Sequence, residues 1–574
     1  MTNDNHETRS IFRLRGMLLN SVDESSNHLI SPLGSARGTR VGIAGSSRPI
    51  RVCVVVFFLA IIAAQHFQAQ ENSPAHRETL FHIQQQIESG NLDAAKVRII
   101  EALKTYPADG GLENLLGVVE IQQGHEDAAR QAFNAAIRHA PRLIGAYLNL
   151  SRMDMESAAT DRAARSEALR LIERVLAAEP ANEEANYQIA TILAWEQNYQ
   201  RSLDHLQKLS AHARNQVGVQ ALVCANSAGL GDREDTDRAA AALIANPDLT
   251  EQDANTCLPT LRTARRADLI DALFAASAAH HQLSPQGLRV LGLAQEAEGK
   301  LDQSRATLES AFAADSKSIV ILEDLSRVAQ AAGDDKGALG YVAHARDIKP
   351  DDAHLIYEFG SICAKMGLLG ESRKAIGEAL KLDPENADYN FGMGTVVSFS
   401  SDPSQAIPYL MKFQAKRPQD PAGMLILGEA YYRGKDFDSA KDWLTRAEAH
   451  ASTAAEAHFY LGRIAHQENR LDDAVTELKQ SLALHADQPD TLAELGQIST
   501  TKREFPQASD YLERAIKLDP DNYGANFGLL QLYARTGDPR RDQQSKRFDE
   551  IKREKEEQNQ ETMRSIEIRP SEKQ

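Results

Sequence analysis

His125-Glu126 is the first pair in the chain that could do chemistry. A zinc-dependent hydrolase sets such a pair on a helix and places a second His four residues after the first, so that both imidazoles reach one ion. Position 129 is Ala129, and the pattern stops there. His205 and His212 fall on one helical face and His280-His281 are adjacent, but a metal centre needs three or four converging ligands. Such pairs arise by chance in a chain with 17 His. Gly392 and Gly394 in "FGMGTV" resemble half of a dinucleotide-binding loop, although the surrounding pattern is not strand–loop–helix. Neither the phosphate-cradling GxxxxGK[ST] nor the nucleophile-elbow GxSxG is present. The acidic groups Glu234-Asp235 with Asp237, and Asp472-Asp473, sit where helices begin, as helix-capping or solvated carboxylates do. Cys53, Cys224, Cys257 and Cys363 lack metal-type spacing and imply no disulfide framework. No catalytic residue, metal or cofactor is expected.

The elements that would have to position any site are helices. Aromatics make up only 6% of the 574 residues, and Ala is abundant. A net charge of −17 argues against a nucleic-acid binder, because phosphate recognition needs clustered Lys and Arg, so no nucleic-acid partner is expected.

A repeat organises these helices. Pro107 and Pro141 are 34 residues apart, and the same step joins Pro350 to Pro384 and Pro384 to Pro418. Ahead of Pro141 come Leu116-Gly117, Gly124, Ala129, Phe133 and Ala136. The last three share one helical face, and Pro ends the second helix because it cannot continue the hydrogen-bond ladder. Small residues at 117 and 129 let two antiparallel helices approach. The phase recurs at Leu291-Gly292, Phe359-Gly360, Met393-Gly394, Leu427-Gly428, Leu461-Gly462 and Leu495-Gly496, with turn glycines such as Gly333 and Gly367. This pattern resembles the tetratricopeptide repeat. The resemblance implies an all-α, right-handed superhelical solenoid of antiparallel helix pairs, in which each pair needs its neighbours to bury an apolar face.

The expected organisation is a disordered leader (1–47), an apolar segment (48–69), an N-terminal array (76–213), degenerate helical repeats (214–284), a C-terminal array (285–538) and a charged capping helix with a tail (539–574). From Pro141 to Pro180 the step is 39, which predicts a five-residue insertion at the turn within that pair.

In proteins similar to this one, first helices line a concave face that receives partner segments. The residue three before the small position is then the candidate groove residue: Tyr357, Phe391, Leu425 and Phe459, with Phe527 two repeats later. They are expected either as a ladder of exposed apolar anchors or as packing between neighbouring helices. Arg327 and Arg463, one residue after the small position, add candidate charge-assisted contacts, with Tyr432 and His466 a turn further along. The Lys/Asn/Arg set with which some such grooves grip a terminal carboxylate is not matched: Asn114 stands alone, and Thr395, Glu429 and Gln497 occupy later sites. The implied function is a non-enzymatic scaffold binding protein or peptide partners. A scaffold for polysaccharide synthesis or export and an accessory subunit of an enzyme complex are the alternatives.

Arg48 and Arg51 precede the uncharged run Val52 to Ala64, whose length suits a signal peptide and is short for a full bilayer span. Ala64 and Ala69 are the candidate cleavage positions; uncleaved, the run is a single anchor. Residues 1–51 hold seven Arg against four acidic residues, which favours a cytoplasmic N-terminus. The repeats are expected outside the cytoplasm, exported or membrane-anchored in a bacterial envelope, with the N-terminal segment engaging the secretion machinery or membrane.

Overall fold

The computed structural model describes residues 74–399 and 402–566. The leader, the 48–69 segment with Cys53, Ala64 and Ala69, and the tail beyond 566 lie outside the described residues. Among the described residues the regular elements are helices, and no helix is long and apolar enough to cross a membrane.

The chain divides into two compact units at 315/316. The first unit stacks helix pairs from Pro74–Glu88 with Leu92–Thr105 through to Pro285–Ala297 with Leu301–Ala314. The second runs from Ile319–Ala331 with Asp335–Ile348 through to Tyr523–Thr536 with Arg541–Ile566. The stretch expected to be degenerate is helical as well, with pairs Val217–Leu230 with Arg233–Ile244 and Glu251–Thr263 with Ala267–His280. Glu251–Thr263 begins with a reciprocal cap, in which the Asp253 amide donates to the Thr250 hydroxyl and the Thr250 amide donates to Asp253.

Within a pair, the small residue of the first helix makes room for a large side chain 16 positions later. A Cβ built at Gly117 would overlap the Phe133 ring, and one at Gly428 would lie 2.6 Å from Leu444. The same clash would join Gly292 to Leu308, Gly360 to Ile376, Gly394 to Leu410, Gly462 to Leu478 and Gly496 to Leu512. Phe133, Ala129 and Ala136 are all buried, and burying a Phe stabilises the fold by about 2–3 kcal/mol. Apolar residues form a continuous core from Ile83 to Leu193 in the first unit; Met424 to Ile498 share another in the second.

In most pairs the turn between the two helices holds one left-handed residue, two positions before the second helix. Gly90, Gly124, Gly231, Gly299, Gly333 and Gly367 supply it, as expected of a residue without a Cβ. Gln197, Arg265, Lys435, Asn469 and Arg503 occupy the same place at positive φ without being Gly.

The 39-residue repeat corrects an expectation. Its intra-pair turn is not enlarged: three residues separate Ile144–Ala158 from Arg162–Ala178, as three separate Gly110–Gln122 from Glu126–His139. The five extra residues lengthen the helices instead, to 15 and 17 residues against 13 and 14. Ala-rich sequence at this point favours propagating helix over opening a loop. No left-handed residue is found in that turn; Asp161 caps the second helix, accepting from the Ala163 and Ala164 amides.

Candidate partner-binding face

Most of the residues singled out for chemistry are taken up in local pairing or packing, while His212, His280 and His281 are exposed. His125 Nδ1 lies 2.8 Å from Glu120, and Lys96 reaches the same carboxylate at 2.8 Å. Burial raises the Glu120 carboxyl, but hydrogen bonds from Lys96 and His125 hold it below its ordinary range. His205 Nδ1 meets Asn186 at 2.8 Å. Glu234 and Asp235 pair with Arg238, Asp237 with Arg266, Asp472 with Lys502 and Asp473 with Arg470. Cys224, Cys257 and Cys363 are free and buried, and burial pushes the Cys363 thiol up to about 11.

The groove candidates divide sharply. The expectation of an exposed apolar ladder is corrected: Tyr357 is 8% exposed, Phe391 2%, Leu425 1% and Phe459 2%. Tyr357 packs on Tyr389 with ring centroids 4.8 Å apart, and Phe391 on Phe413 at 4.7 Å. Burial pushes the Tyr357 phenol well above its usual range. Phe527 is half-buried against Phe548 of the terminal helix, at 5.5 Å. The cover differs between them: Tyr357 is covered by the first helix of the next pair through Tyr389, whereas Phe391 and Phe527 meet the second helix of their own pair through Phe413 and Phe548. Arg327 is exposed and bonded to Asp324 at 2.7 Å.

Arg463 is different. It stands one turn after Phe459 on Ala454–Gln467, so the two share a face. Its guanidinium carbon lies 5.3 Å from the Tyr432 ring centroid and 5.6 Å from that of Phe459. Tyr432 comes from the last turn of Pro421–Arg433, a helix started by Pro421 and capped by Asp420, which accepts from the Gly423 amide. Burial raises the Tyr432 phenol. Glu494, on Pro489–Thr501, closes the cluster: His466 Nδ1 bonds it at 2.5 Å, while Arg463 Nε stays 3.7 Å away. Burial works against ionisation of Glu494, but His466 and Arg463 outweigh it and hold the carboxyl below its ordinary range. Arg463 Nε is buried and has no hydrogen-bond partner. The guanidinium thus lies near two aromatic rings and forms an ion pair with Glu494, its Nε making no hydrogen bond.

Sequence reasoning found Tyr432, Arg463 and His466 through their phase but missed Glu494, which carries no motif signal. It also missed a polar chain on first helices of the first unit. There Asn149 donates to Asn114 at 3.0 Å, Arg152 donates to Asn149 at 2.7 Å, and Arg152 grips Glu184 through two nitrogens. Asn114 is thus one member of a network.

Tetratricopeptide-repeat models match residues 84–143, 398–454, 444–489 and 501–541, and a second such model matches 353–386. A 217-residue stretch is 21% identical to human protein O-mannosyl-transferase TMTC1, covering 37% of this chain and 24% of that protein. A 210-residue stretch is 24% identical to the RNA polymerase-associated protein CTR9 of Caenorhabditis elegans, covering 35% and 18%. The chain therefore spans a quarter or less of these relatives. Among solved structures, the APC/C hetero-tetramer Cut9-Hcn1 is similar at 13% identity over 78% of this chain and 95% of that one, with a TM-score of 0.36. Yeast Tom70 is similar at 16% identity over 81% and 96%, with a TM-score of 0.34.

Proposed function

We propose that this chain, with its tetratricopeptide repeats as the premise, is a non-enzymatic scaffold that binds a partner protein segment along its first helices in the second unit. Arg463 is the anchor and takes a carboxylate of the partner, while Tyr432 and Phe459 hold the guanidinium plane in place. The observation that carries this reading is the Arg463 guanidinium beside the Tyr432 and Phe459 rings, whose Nε makes no hydrogen bond and faces Glu494 only at ion-pair distance.

The cell envelope is the proposed setting, supported by the apolar run Val52 to Ala64 behind Arg48 and Arg51. The segment engages the secretion machinery or membrane, and the repeats lie outside the cytoplasm.

The test is affinity capture from native membranes with the full chain, beside Arg463→Met and Arg463→Lys. Defined partners should fall at least tenfold for Arg463→Met protein that keeps its helical circular dichroism, with partial recovery for Arg463→Lys. An unchanged partner set in folded Arg463→Met protein defeats the reading. Protease accessibility in intact cells tests the location: full protection of the repeats from external and periplasmic protease defeats it.

A further inference from the structure

Two neighbouring first helices bring together a group the scaffold does not explain. Glu323 comes from Ile319–Ala331, and His354 and Glu358 lie one turn apart on Ala353–Lys365. An i, i+4 pair presents both side chains to one side of a helix. One ligand atom from each of the three lies within 4.8 Å of the others. His354 Nε2 and Glu358 Oε1 are already 3.4 Å apart. Two ligands on a tetrahedral ion with bonds of about 2.0–2.1 Å stand roughly 3.3 Å from each other, so this pair has the spacing of a chelate.

We propose that Glu323, His354 and Glu358 form a binding site for a divalent transition-metal ion of the zinc class. Two further observations support it. Glu358 Oε2 is buried without a hydrogen-bond partner, leaving one oxygen of that carboxylate unsatisfied. The neighbouring acids have cations of their own: Arg327 bonds Asp324 at 2.7 Å and Lys349 bonds Asp352 at 2.7 Å. Glu358 itself is paired with His354.

An imidazole with two carboxylates suits zinc or cobalt over calcium or magnesium, which prefer all-oxygen shells. His354 is exposed, which leaves a way in for the ion and room for water at the fourth position. A second His–Glu cluster, Glu448, His458 and Glu477, contrasts with it. There His458 Nδ1 already bonds Glu477 at 2.8 Å and faces Glu448 at 3.7 Å, and neither carboxylate has an orphaned buried oxygen. That cluster is satisfied as an ion triad.

The experiment is equilibrium dialysis of the chelator-stripped full chain, tag removed, against Zn2+, with bound metal measured directly. Co2+ absorption serves as a second readout. Wild type should hold at least one equivalent, unaffected by excess Mg2+ and giving the intense visible bands of tetrahedral cobalt. His354→Ala and Glu358→Gln should each lose that equivalent and the bands, and Glu323→Gln should bind at least tenfold more weakly. His458→Ala should match wild type. The proposal is overturned if wild type binds no zinc, if folded His354→Ala keeps the full stoichiometry, or if the loss follows His458→Ala instead. His354 is exposed, so its replacement tests the site without threatening the fold.

Discussion

At the scale of single residues, the small position of each first helix is defined by one contact. Gly496 has no room for a Cβ, which would stand 2.5 Å from Leu512 Cγ and 2.6 Å from its Cδ2. Leu512 is fully buried and cannot swing aside into water. Gly496→Ala should therefore destabilise the chain by about 1–3 kcal/mol, despite the better helix propensity of Ala. Leu512→Ala should cost about 2–4 kcal/mol by leaving a cavity. The double variant should lose clearly less than the two added together, because the new methyl enters the space that Leu512 vacates. Denaturant unfolding of the three proteins decides it; strict additivity would mean that the glycine is not there for that leucine. The aromatic candidates teach the converse. Phase told correctly that Tyr357, Phe391 and Phe459 are equivalent, but equivalence did not say whether the shared environment is solvent or a neighbouring helix.

At the scale of the helix pair, the turn is where sequence and geometry part. The left-handed residue is Gly at 299, 333 and 367, 34 residues apart, and two such steps after Gly367 it is Lys435, followed by Asn469 and Arg503 at the 34-residue step. A side chain in this region costs about 1–2 kcal/mol, of which Gly recovers a part because its unfolded chain is also freer. Arg503, exposed and at φ 64°, is the clean case. Arg503→Gly should raise stability by about 0.5–1 kcal/mol, read as a higher unfolding midpoint at unchanged slope. A lower midpoint would show that the arginine side chain holds the turn by a contact that outweighs its backbone strain. The lengthened pair Ile144–Ala158 and Arg162–Ala178 shows the alternative, a turn without a left-handed residue, closed by Asp161 as a cap.

At the scale of the whole chain, a net charge of −17 makes its carboxylates decide the response to acid. Glu120 is 6% exposed, and its carboxyl lies below the ordinary 4.5 because Lys96 and His125 outweigh the effect of burial. Glu167 beside Arg170, and Asp268 beside Arg266, are lowered in the same direction. A carboxyl lowered on folding binds fewer protons in the native state. Its stabilisation is thus present above about pH 4.5 and lost as pH falls through the folded value. Unfolding free energy should be nearly flat from about pH 7 to about pH 5 and then drop. Glu120→Gln should lose about 1–2 kcal/mol at about pH 7, since Lys96 and His125 keep some access to water, and should show a shallower acid decline. An identical acid slope in the variant would remove Glu120 from the account.

The sequence by itself determined the helices, the 34-residue pairing, the small-residue positions and the equivalence of residues one repeat apart. Each of these follows from local periodicity, which a chain carries whatever its neighbours do. Only the tertiary structure decided that the aromatic phase is interior, that five inserted residues extend helices, and that Glu494 sits with Arg463. The same holds for the meeting of Glu323 with His354 and Glu358. These depend on which helix face the next repeat covers, and on side chains from different repeats arriving at one place. Burial and convergence are properties of packing, and no spacing within a single helix encodes them. His354 and Glu358 were visible as an i, i+4 pair, but their third partner belongs to a helix of the preceding repeat.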